Sequence, residues 1–167
     1  MKIQDIMNRP VESCGPKTDL AAAAMIMWRH DCGLVPIVDD ERRVLGVVTD
    51  RDVCIAVATR HRRADELTAA EVMSRRLFTL RADDDVHQAL ETMRRERIRR
   101  LPVVDADRRL VGILSINDLV LAAKPASGRA VTSDLTANEV IDTLRAICEH
   151  AIPVRVTAQP REKAHAG

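Results

Sequence analysis

Two short segments of the sequence carry a hydroxyl residue followed three positions later by an aspartate. Residues 46–52 read GVVTDRD, with Thr49 and Asp52, and residues 112–118 read GILSIND, with Ser115 and Asp118. In each segment the hydroxyl residue is placed to cap a helix, and the aspartate falls in the first turn. A hydroxyl and a carboxylate together suit the 2′- and 3′-hydroxyls of a ribose. The free N–H groups of a helix N-terminus suit a phosphate.

The same pattern is also an ordinary helix capping box, so either match alone could be purely structural. Here, however, both matches stand ten residues after the aspartate of a proline–hydrophobic–hydrophobic–aspartate segment, at 36–39 and at 102–105. Two matches in the same register favour a shared binding role over two independent caps.

The matches belong to an internal repeat with an offset of 66 residues. Without a gap, Met7 aligns with Met73 and Gly46 with Gly112. A unit of this length that occurs only twice is too long for a helical solenoid repeat, which is about 20–50 residues. The sequence therefore predicts a duplicated half-domain in which each copy covers the apolar face of the other.

In each copy the spacing of apolar and polar residues predicts a short strand, an amphipathic helix, a strand, a turn, a strand and a second helix. The apolar segments lie at 20–27, 34–38 and 44–49 in the first copy and at 86–93, 101–104 and 110–115 in the second. Pro36 and Pro102 lie in the first strand of each predicted hairpin. Since proline cannot donate to a ladder, we expect that strand to be an edge strand or the proline to stand at its start.

We divide the chain into repeat 1 at 1–65, repeat 2 at 66–124, and a linker with a C-terminal amphipathic tail at 125–167. Thr136 and Glu139 form a capping box for a helix predicted over 136–150. Its apolar stripe must be buried and consists of Val140, Ile141, Leu144 and Ile147. Residues 152–156 are interpreted as a short strand and 159–167 as a frayed end.

Composition excludes several function classes. The 167 residues are 46% hydrophobic and 31% charged with a net charge of +1, which is typical of a soluble globular chain without a field that favours DNA. One Trp and one Phe are too few for stacking platforms for single-stranded nucleic acid. The longest apolar run, 20–28, is too short to span a membrane, and the N-terminus has no signal core. We expect a cytoplasmic protein that binds neither nucleic acid nor membrane.

The sequence also lacks a recognisable catalytic or metal-binding arrangement. The cysteines are scattered singly, the five histidines share no ligand spacing, and no phosphate-binding glycine loop ends in Lys-Ser/Thr. We therefore predict a protein that is not an enzyme and uses neither zinc nor disulfides. The four cysteines are Cys14, Cys32, Cys54 and Cys148.

Together, the duplicated hydroxyl–aspartate segments and the prolines before them resemble the CBS domain, the module named after cystathionine beta-synthase, as a tandem pair over about 3–123. The resemblance implies an α+β fold of two β-α-β-β-α repeats related by a pseudo-twofold axis, with packed sheets and outer helices. It also implies two clefts between the repeats for adenosyl ligands. AMP is the first expectation, with ADP, ATP, NAD and S-adenosylmethionine as alternatives.

The resemblance assigns roles to particular residues. The ribose pairs are Thr49 with Asp52 and Ser115 with Asp118; the residues before each proline border the adenine or phosphates, and 13–14 and 79–80 wall the base. The implied ligand-binding residues are Ser13, Cys14, Gly33, Leu34, Pro36, Thr49, Arg51, Asp52, Thr79, Leu80, Arg99, Arg100, Pro102, Ser115, Asn117 and Asp118.

The stretch 98–102 is also similar to the phosphate-contacting stretch in the gamma subunit of AMP-activated protein kinase. Arginine can fork onto a phosphate there, although a solvated helix-to-strand corner is the structural alternative. Because the first copy has the uncharged Gly33 and Leu34 at this place, we expect the two clefts to differ.

The resulting hypothesis is a non-catalytic regulatory module that senses an adenosyl nucleotide and signals to a separate protein by a conformational change. The alternative is an interaction or scaffold protein of the same fold whose clefts bind nothing. We also expect a homodimer, because closed twofold pairing is the commonest way to bury a helical face left uncovered.

Overall fold

The computed structural model describes residues 1–124 and 135–149, which form two similar α+β repeats and a C-terminal helix. Repeat 1 contains α1 (Leu20–Arg29), β1 (Leu34–Val38), β2 (Val44–Thr49) and α2 (Asp50–Arg60). Repeat 2 contains α3 (Ala69–Val72), β3 (Leu80–Arg81), α4 (Val86–Glu96), β4 (Arg100–Val104), β5 (Leu110–Ser115) and α5 (Ile116–Ala122), and the last helix is α6 (Ala137–Cys148). The predicted fold class is confirmed.

Each repeat is built on an antiparallel hairpin. β1 pairs with β2 and β4 pairs with β5 in matching registers, and β3 adds a parallel strand beside β4. In repeat 1 the strand that corresponds to β3 is reduced to a single parallel bridge between Cys14 and Ile37. The predicted order of elements therefore holds in both copies, with the first strand of repeat 1 shortened to one residue.

The expectation of an edge strand was wrong for Pro102. This proline is the third residue of β4, and β4 is the central strand of its sheet. Parallel pairing with β3 begins only at Leu80, opposite Val103. Because no ladder partner lies beside Pro102 on that side, its missing N–H breaks no hydrogen bond.

The segment that precedes each repeat packs on the other repeat. Asn8 exchanges backbone hydrogen bonds of 2.9 and 3.1 Å with Ile113 in β5, and Ser74 exchanges bonds of 2.9 and 3.4 Å with Val47 in β2. A Cβ on Gly46 would stand 2.8 Å from the carbonyl oxygen of Ser74. Glycine is therefore required at position 46, because the segment exchanged between the repeats, here the one with Ser74, passes in direct contact with the glycine backbone.

The core is aliphatic and lies in three clusters. One cluster fills each repeat, and a third, formed by Val38, Val44, Val104 and Leu110, joins the two hairpins. The exchanged segments contribute to both main clusters: Ile3 is buried in the core of repeat 2, and Leu67 is buried in the core of repeat 1. The two repeats are therefore held together by shared core residues as well as by hydrogen bonds.

Helix α6 packs back on repeat 2, against α4 and α5. Thr136 caps its N-terminus, Val140 is buried, and Leu144 and Ile147 pack against the same core cluster. The predicted burial is confirmed for Val140, Leu144 and Ile147 but was wrong for Ile141, which is 46% exposed. His150, the predicted last residue of this helix, lies outside the described residues, as do the linker at 125–134 and the predicted strand at 152–156 and frayed end at 159–167.

Candidate functional site

Both hydroxyl–aspartate pairs form the N-terminal cap of a helix. The Thr49 hydroxyl donates to Asp52 Oδ2 at 2.7 Å, and the Thr49 backbone N–H donates to the same oxygen at 2.9 Å. Ser115 makes the corresponding bonds to Asp118 Oδ2, both at 2.7 Å. The side-chain pairs therefore have nearly the same geometry at the start of α2 and of α5, and each leaves the second carboxylate oxygen, Oδ1, outside the cap.

The two remaining oxygens have different surroundings. Asp118 Oδ1 accepts a hydrogen bond of 2.6 Å from the Asn8 side-chain amide, which the exchanged N-terminal segment brings to α5. Asp52 Oδ1 accepts no hydrogen bond from any residue in the described ranges. A ribose hydroxyl could donate directly to Asp52 Oδ1, whereas at Asp118 it would share the oxygen with Asn8.

Each pair lines a cavity between the two repeats. The Thr49 cleft has a volume of about 340 Å³, and the Ser115 cleft has a volume of about 440 Å³. The Thr49 cleft takes its hydroxyl–aspartate pair from repeat 1 and its opposite wall from residues 74–78 and 96–100. The Ser115 cleft takes its pair from repeat 2 and its wall from residues 8–12 and 30–32. Each cleft is therefore a composite of both repeats.

The implied ligand residues divide between these clefts. Those that line the Thr49 cleft are Leu34, Thr49, Arg51, Asp52, Arg99, Arg100 and Pro102. Those that line the Ser115 cleft are Leu34, Arg100, Ser115, Asn117 and Asp118. Six others line neither cleft: Ser13, Cys14, Gly33, Pro36, Thr79 and Leu80. Gly33 instead lines an open groove that adjoins both clefts.

The wall that the resemblance places at 13–14 and 79–80 lies two residues earlier in the structure. Val11 and Glu12 line the Ser115 cleft, and Leu77 and Phe78 line the Thr49 cleft. Cys14 is instead buried in the core of repeat 1, where desolvation raises the pKa of its thiol. Leu80 occupies the matching position in repeat 2. Both residues pair with a neighbouring strand, which orients their side chains into the core.

Arginine side chains surround the Thr49 cleft. Arg76 pairs with Glu96 at 2.7 Å and lies over the Phe78 ring, 5.3 Å from its centroid. The side chains of four other lining arginines make no ion pair or hydrogen bond with the described residues; they are Arg51, Arg97, Arg99 and Arg100. These guanidinium groups are available to bind a phosphate.

Arg97 and Phe78 line the Thr49 cleft, although neither was predicted from the sequence. Arg97 belongs to a basic run at the end of α4, a pattern usually typical of a solvated helical face. The structure places Arg97 past the last helical residue with φ of 54°, beside the cleft. One feature of the sequence could have drawn attention to Phe78, because it is the only phenylalanine in the chain.

The chain belongs to the CBS domain family, because the family model described as CBS domain matches residues 3–59 and 69–124. The resemblance drawn from the two repeated segments is therefore confirmed, and the matches coincide with the two structural repeats.

Several relatives have similar lengths. Hypoxic response protein 1 of Mycobacterium tuberculosis is 30% identical over 145 residues, which cover 87% of this chain and 92% of that protein. The CBS domain-containing protein YhcV of Bacillus subtilis is 33% identical over 134 residues, which cover 78% and 93%. The chain spans 61% of another relative, the uncharacterized protein MK0525 of Methanopyrus kandleri.

Solved structures with the same fold include ligand complexes. A CBS domain protein from Pyrobaculum aerophilum complexed with AMP has 32% sequence identity and a TM-score of 0.66 over 71% of this chain and 90% of that chain. The CBS domain pair of protein MJ0100, in complex with 5′-methylthioadenosine and S-adenosyl-L-methionine, has 29% identity and a TM-score of 0.66 over 72% and 94%.

The described ranges contain neither a cluster of metal ligands nor a helix suited to cross a membrane. Within residues 1–124 and 135–149, no group of three or more His, Cys, Asp or Glu side chains is arranged to hold a metal ion. None of the helices in these ranges has the length and apolar character that a membrane crossing requires.

Proposed function

We propose that this protein is a non-catalytic regulatory module that binds adenosyl ligands in the Thr49 and Ser115 clefts. The observation that carries the proposal is the duplicated ribose pair at the lip of two cavities, with Asp52 Oδ1 unengaged by the described residues. A cap alone needs only one carboxylate oxygen. Asp52 and Asp118 each line a space large enough for a small ligand.

An adenosyl ligand is favoured over other ribose-containing ligands by the relatives. The Pyrobaculum aerophilum structure contains AMP, and the MJ0100 domain pair contains 5′-methylthioadenosine and S-adenosyl-L-methionine. In this chain, the unpaired arginines of the Thr49 cleft add a partner for phosphate. AMP is therefore the first candidate, with ADP, ATP, NAD and S-adenosylmethionine as the others.

Binding would act on the arrangement of the two repeats. Because each cleft takes its ribose pair from one repeat and its opposite wall from the other, a bound ligand contacts both. A ligand shifts a conformational equilibrium only through its different affinity for the two states. A change in the distance between the repeats would supply that difference, and a separate protein would receive the signal.

A thermal-shift panel of AMP, ADP, ATP, NAD and S-adenosylmethionine tests the proposal. A ligand that binds only the folded chain adds about 2.7 kcal/mol to its stability at a hundredfold excess over Kd. We expect at least one member to raise the unfolding temperature in a concentration-dependent way. If none does, the clefts do not bind adenosyl ligands, and the protein is an interaction scaffold of the same fold.

We also propose that two copies form a homodimer through the outer helices. Trp28 on α1 is 84% exposed and Leu121 on α5 is 85% exposed, and Ile55 on α2 and Val120 on α5 are also exposed. Large apolar side chains at this exposure favour burial against a partner. Helix α6 covers part of the outer surface of repeat 2 but leaves these side chains open.

A further inference from the structure

The repeat offset pairs the lining residues of the two clefts, and the charges at paired positions differ. The ribose aspartates Asp52 and Asp118 correspond to each other, so the feature that holds the sugar is the same. The surrounding positions are different: Arg51 corresponds to Asn117, Arg76 to Pro10, Arg97 to Asp31, Arg99 to Gly33, and Phe78 to Glu12.

The pair Arg97 and Asp31 shows a complete charge reversal on the same backbone. Both residues follow the first long helix of their repeat, and both adopt the left-handed conformation, with φ of 54° and 47°. Both are exposed, and each lines the cleft on its side. The backbone therefore presents a guanidinium to the Thr49 cleft and a carboxylate to the Ser115 cleft at equivalent places.

The numbers of charged side chains around the two clefts differ in the same direction. Around the Thr49 cleft, five arginines are set against the carboxylates of Asp50, Asp52 and Glu96. Around the Ser115 cleft, the described lining has one arginine, Arg100, against three carboxylates: Glu12, Asp31 and Asp118. An anionic ligand is therefore attracted to the first cleft and repelled by the second, by Coulomb interactions over short distances.

Arg100 does not remove this difference because it lies at the border of both clefts. A Cβ on Gly33 would stand 3.2 Å from one of its guanidinium nitrogens and 2.9 Å from Asp50 Oδ2. The side chain therefore points toward the groove beside α2, the helix that carries the ribose pair of the Thr49 cleft. Its partner in the repeat is Leu34, which also lines both clefts and carries no charge.

We propose that the two clefts select adenosyl ligands by charge. The Thr49 cleft takes a phosphorylated adenosine, and the Ser115 cleft takes an adenosine derivative without net negative charge, either neutral or cationic. This inference rests on the proposed function, since it assigns a ligand class to each of the same two clefts. The chain would then respond to two kinds of metabolite at once.

Single-cleft variants test the assignment by calorimetry. Asp118→Asn leaves the Thr49 cleft intact, and Asp52→Asn leaves the Ser115 cleft intact. AMP and adenosine are the matched probes because they differ only in the phosphate, and S-adenosylmethionine is the cationic probe. We expect Asp118→Asn to prefer AMP over adenosine by about tenfold or more, and Asp52→Asn to show the reverse order.

A charge exchange then tests the cause. In the Asp52→Asn background, Asp31→Arg should improve AMP binding about tenfold and leave adenosine within about twofold, since only the phosphate gains a partner. Arg97→Asp in the Asp118→Asn background should weaken AMP by a similar factor. Because Arg97 already occupies the left-handed position in repeat 2, the Asp31→Arg exchange fits the local backbone.

Asp40→Arg is the matched control, because Asp40 is exposed in the β1–β2 turn and lines neither cleft, so the same charge change should leave AMP binding unaltered. The AMP-to-adenosine ratios should also shrink as salt is raised. Equal preference for AMP in both single-cleft variants overturns the charge assignment and leaves the proposed function intact. Absence of binding by all three probes in the unaltered protein overturns both.

Discussion

Replacing Asp52 by asparagine separates the two roles of this side chain. Oδ2 accepts the hydrogen bonds of the α2 cap from Thr49, whereas Oδ1 is unengaged by the described residues. Asparagine retains one oxygen that can keep the cap and places an amide NH₂ where Oδ1 stood. A ribose hydroxyl that donates to Oδ1 would then face another donor.

The expected loss of affinity follows from the kind of hydrogen bond that disappears. A hydrogen bond to a charged group contributes about 1.5–3 kcal/mol, which corresponds to roughly ten- to hundredfold in Kd. Because the cap is kept, the free energy of unfolding should fall by less than about 1 kcal/mol. Affinity and stability should therefore change by clearly different amounts.

Calorimetric titration with AMP measures the affinity, and chemical unfolding measures the stability. The control is Glu71→Gln, since Glu71 Oε2 accepts from the Thr68 backbone N–H at 2.8 Å and from its hydroxyl at 2.9 Å in the same kind of cap, outside both clefts. The control should retain AMP affinity. Unaltered binding by Asp52→Asn, or an equal loss in Glu71→Gln, would refute the ribose assignment.

Three further predictions concern stability and assembly. Removing the residues after Lys124 exposes the surface that Val140 covers, so the free energy of unfolding should fall by at least about 2 kcal/mol. An unchanged unfolding temperature would contradict this prediction. The His87 backbone N–H and ring hold the pKa of Asp85 at about 2. The ionised Asp85 carboxylate thus stabilises the folded protein above about pH 4, and this stabilisation is lost as the pH falls toward 2. The free energy of unfolding, measured in urea, should therefore fall less steeply with decreasing pH in Asp85→Asn than in the unaltered protein. The same pH dependence in both proteins would contradict this prediction. Trp28→Glu should yield monomers in light scattering, and a variant that stays dimeric contradicts the proposed interface.

The repeat organisation could be predicted from sequence because it rests on local patterns. Apolar spacing identifies the helices, and the polar turns at 39–43 and 105–109 identify the hairpins. The exchange of leading segments could not be predicted in this way. Gly46 and Gly112 indicate a close approach of backbone, but no local pattern says that the approaching segments are those of Ser74 and Asn8.

The two hydroxyl–aspartate pairs could be located from sequence because a helix cap is a local structure. The residues opposite them could not, since their direction depends on long-range pairing. The long-range bridge between Cys14 and Ile37 holds the Cys14 side chain in the core, while Glu12, two residues before that bridge, lines a cleft. Arg97 reaches its cleft through a left-handed residue, which helical periodicity cannot indicate.

These two kinds of residue explain how one fold can hold clefts of opposite charge. Thr49 with Asp52, and Ser115 with Asp118, are tied to their positions because each pair also caps a helix that the fold needs. Arg97 and Asp31 are exposed and make no contribution to the core clusters. Charge can therefore change at these positions without loss of the fold, while the hydroxyl–aspartate pairs are kept. Because each cleft spans both repeats, we propose that a ligand bound in either one acts on the same interface between them.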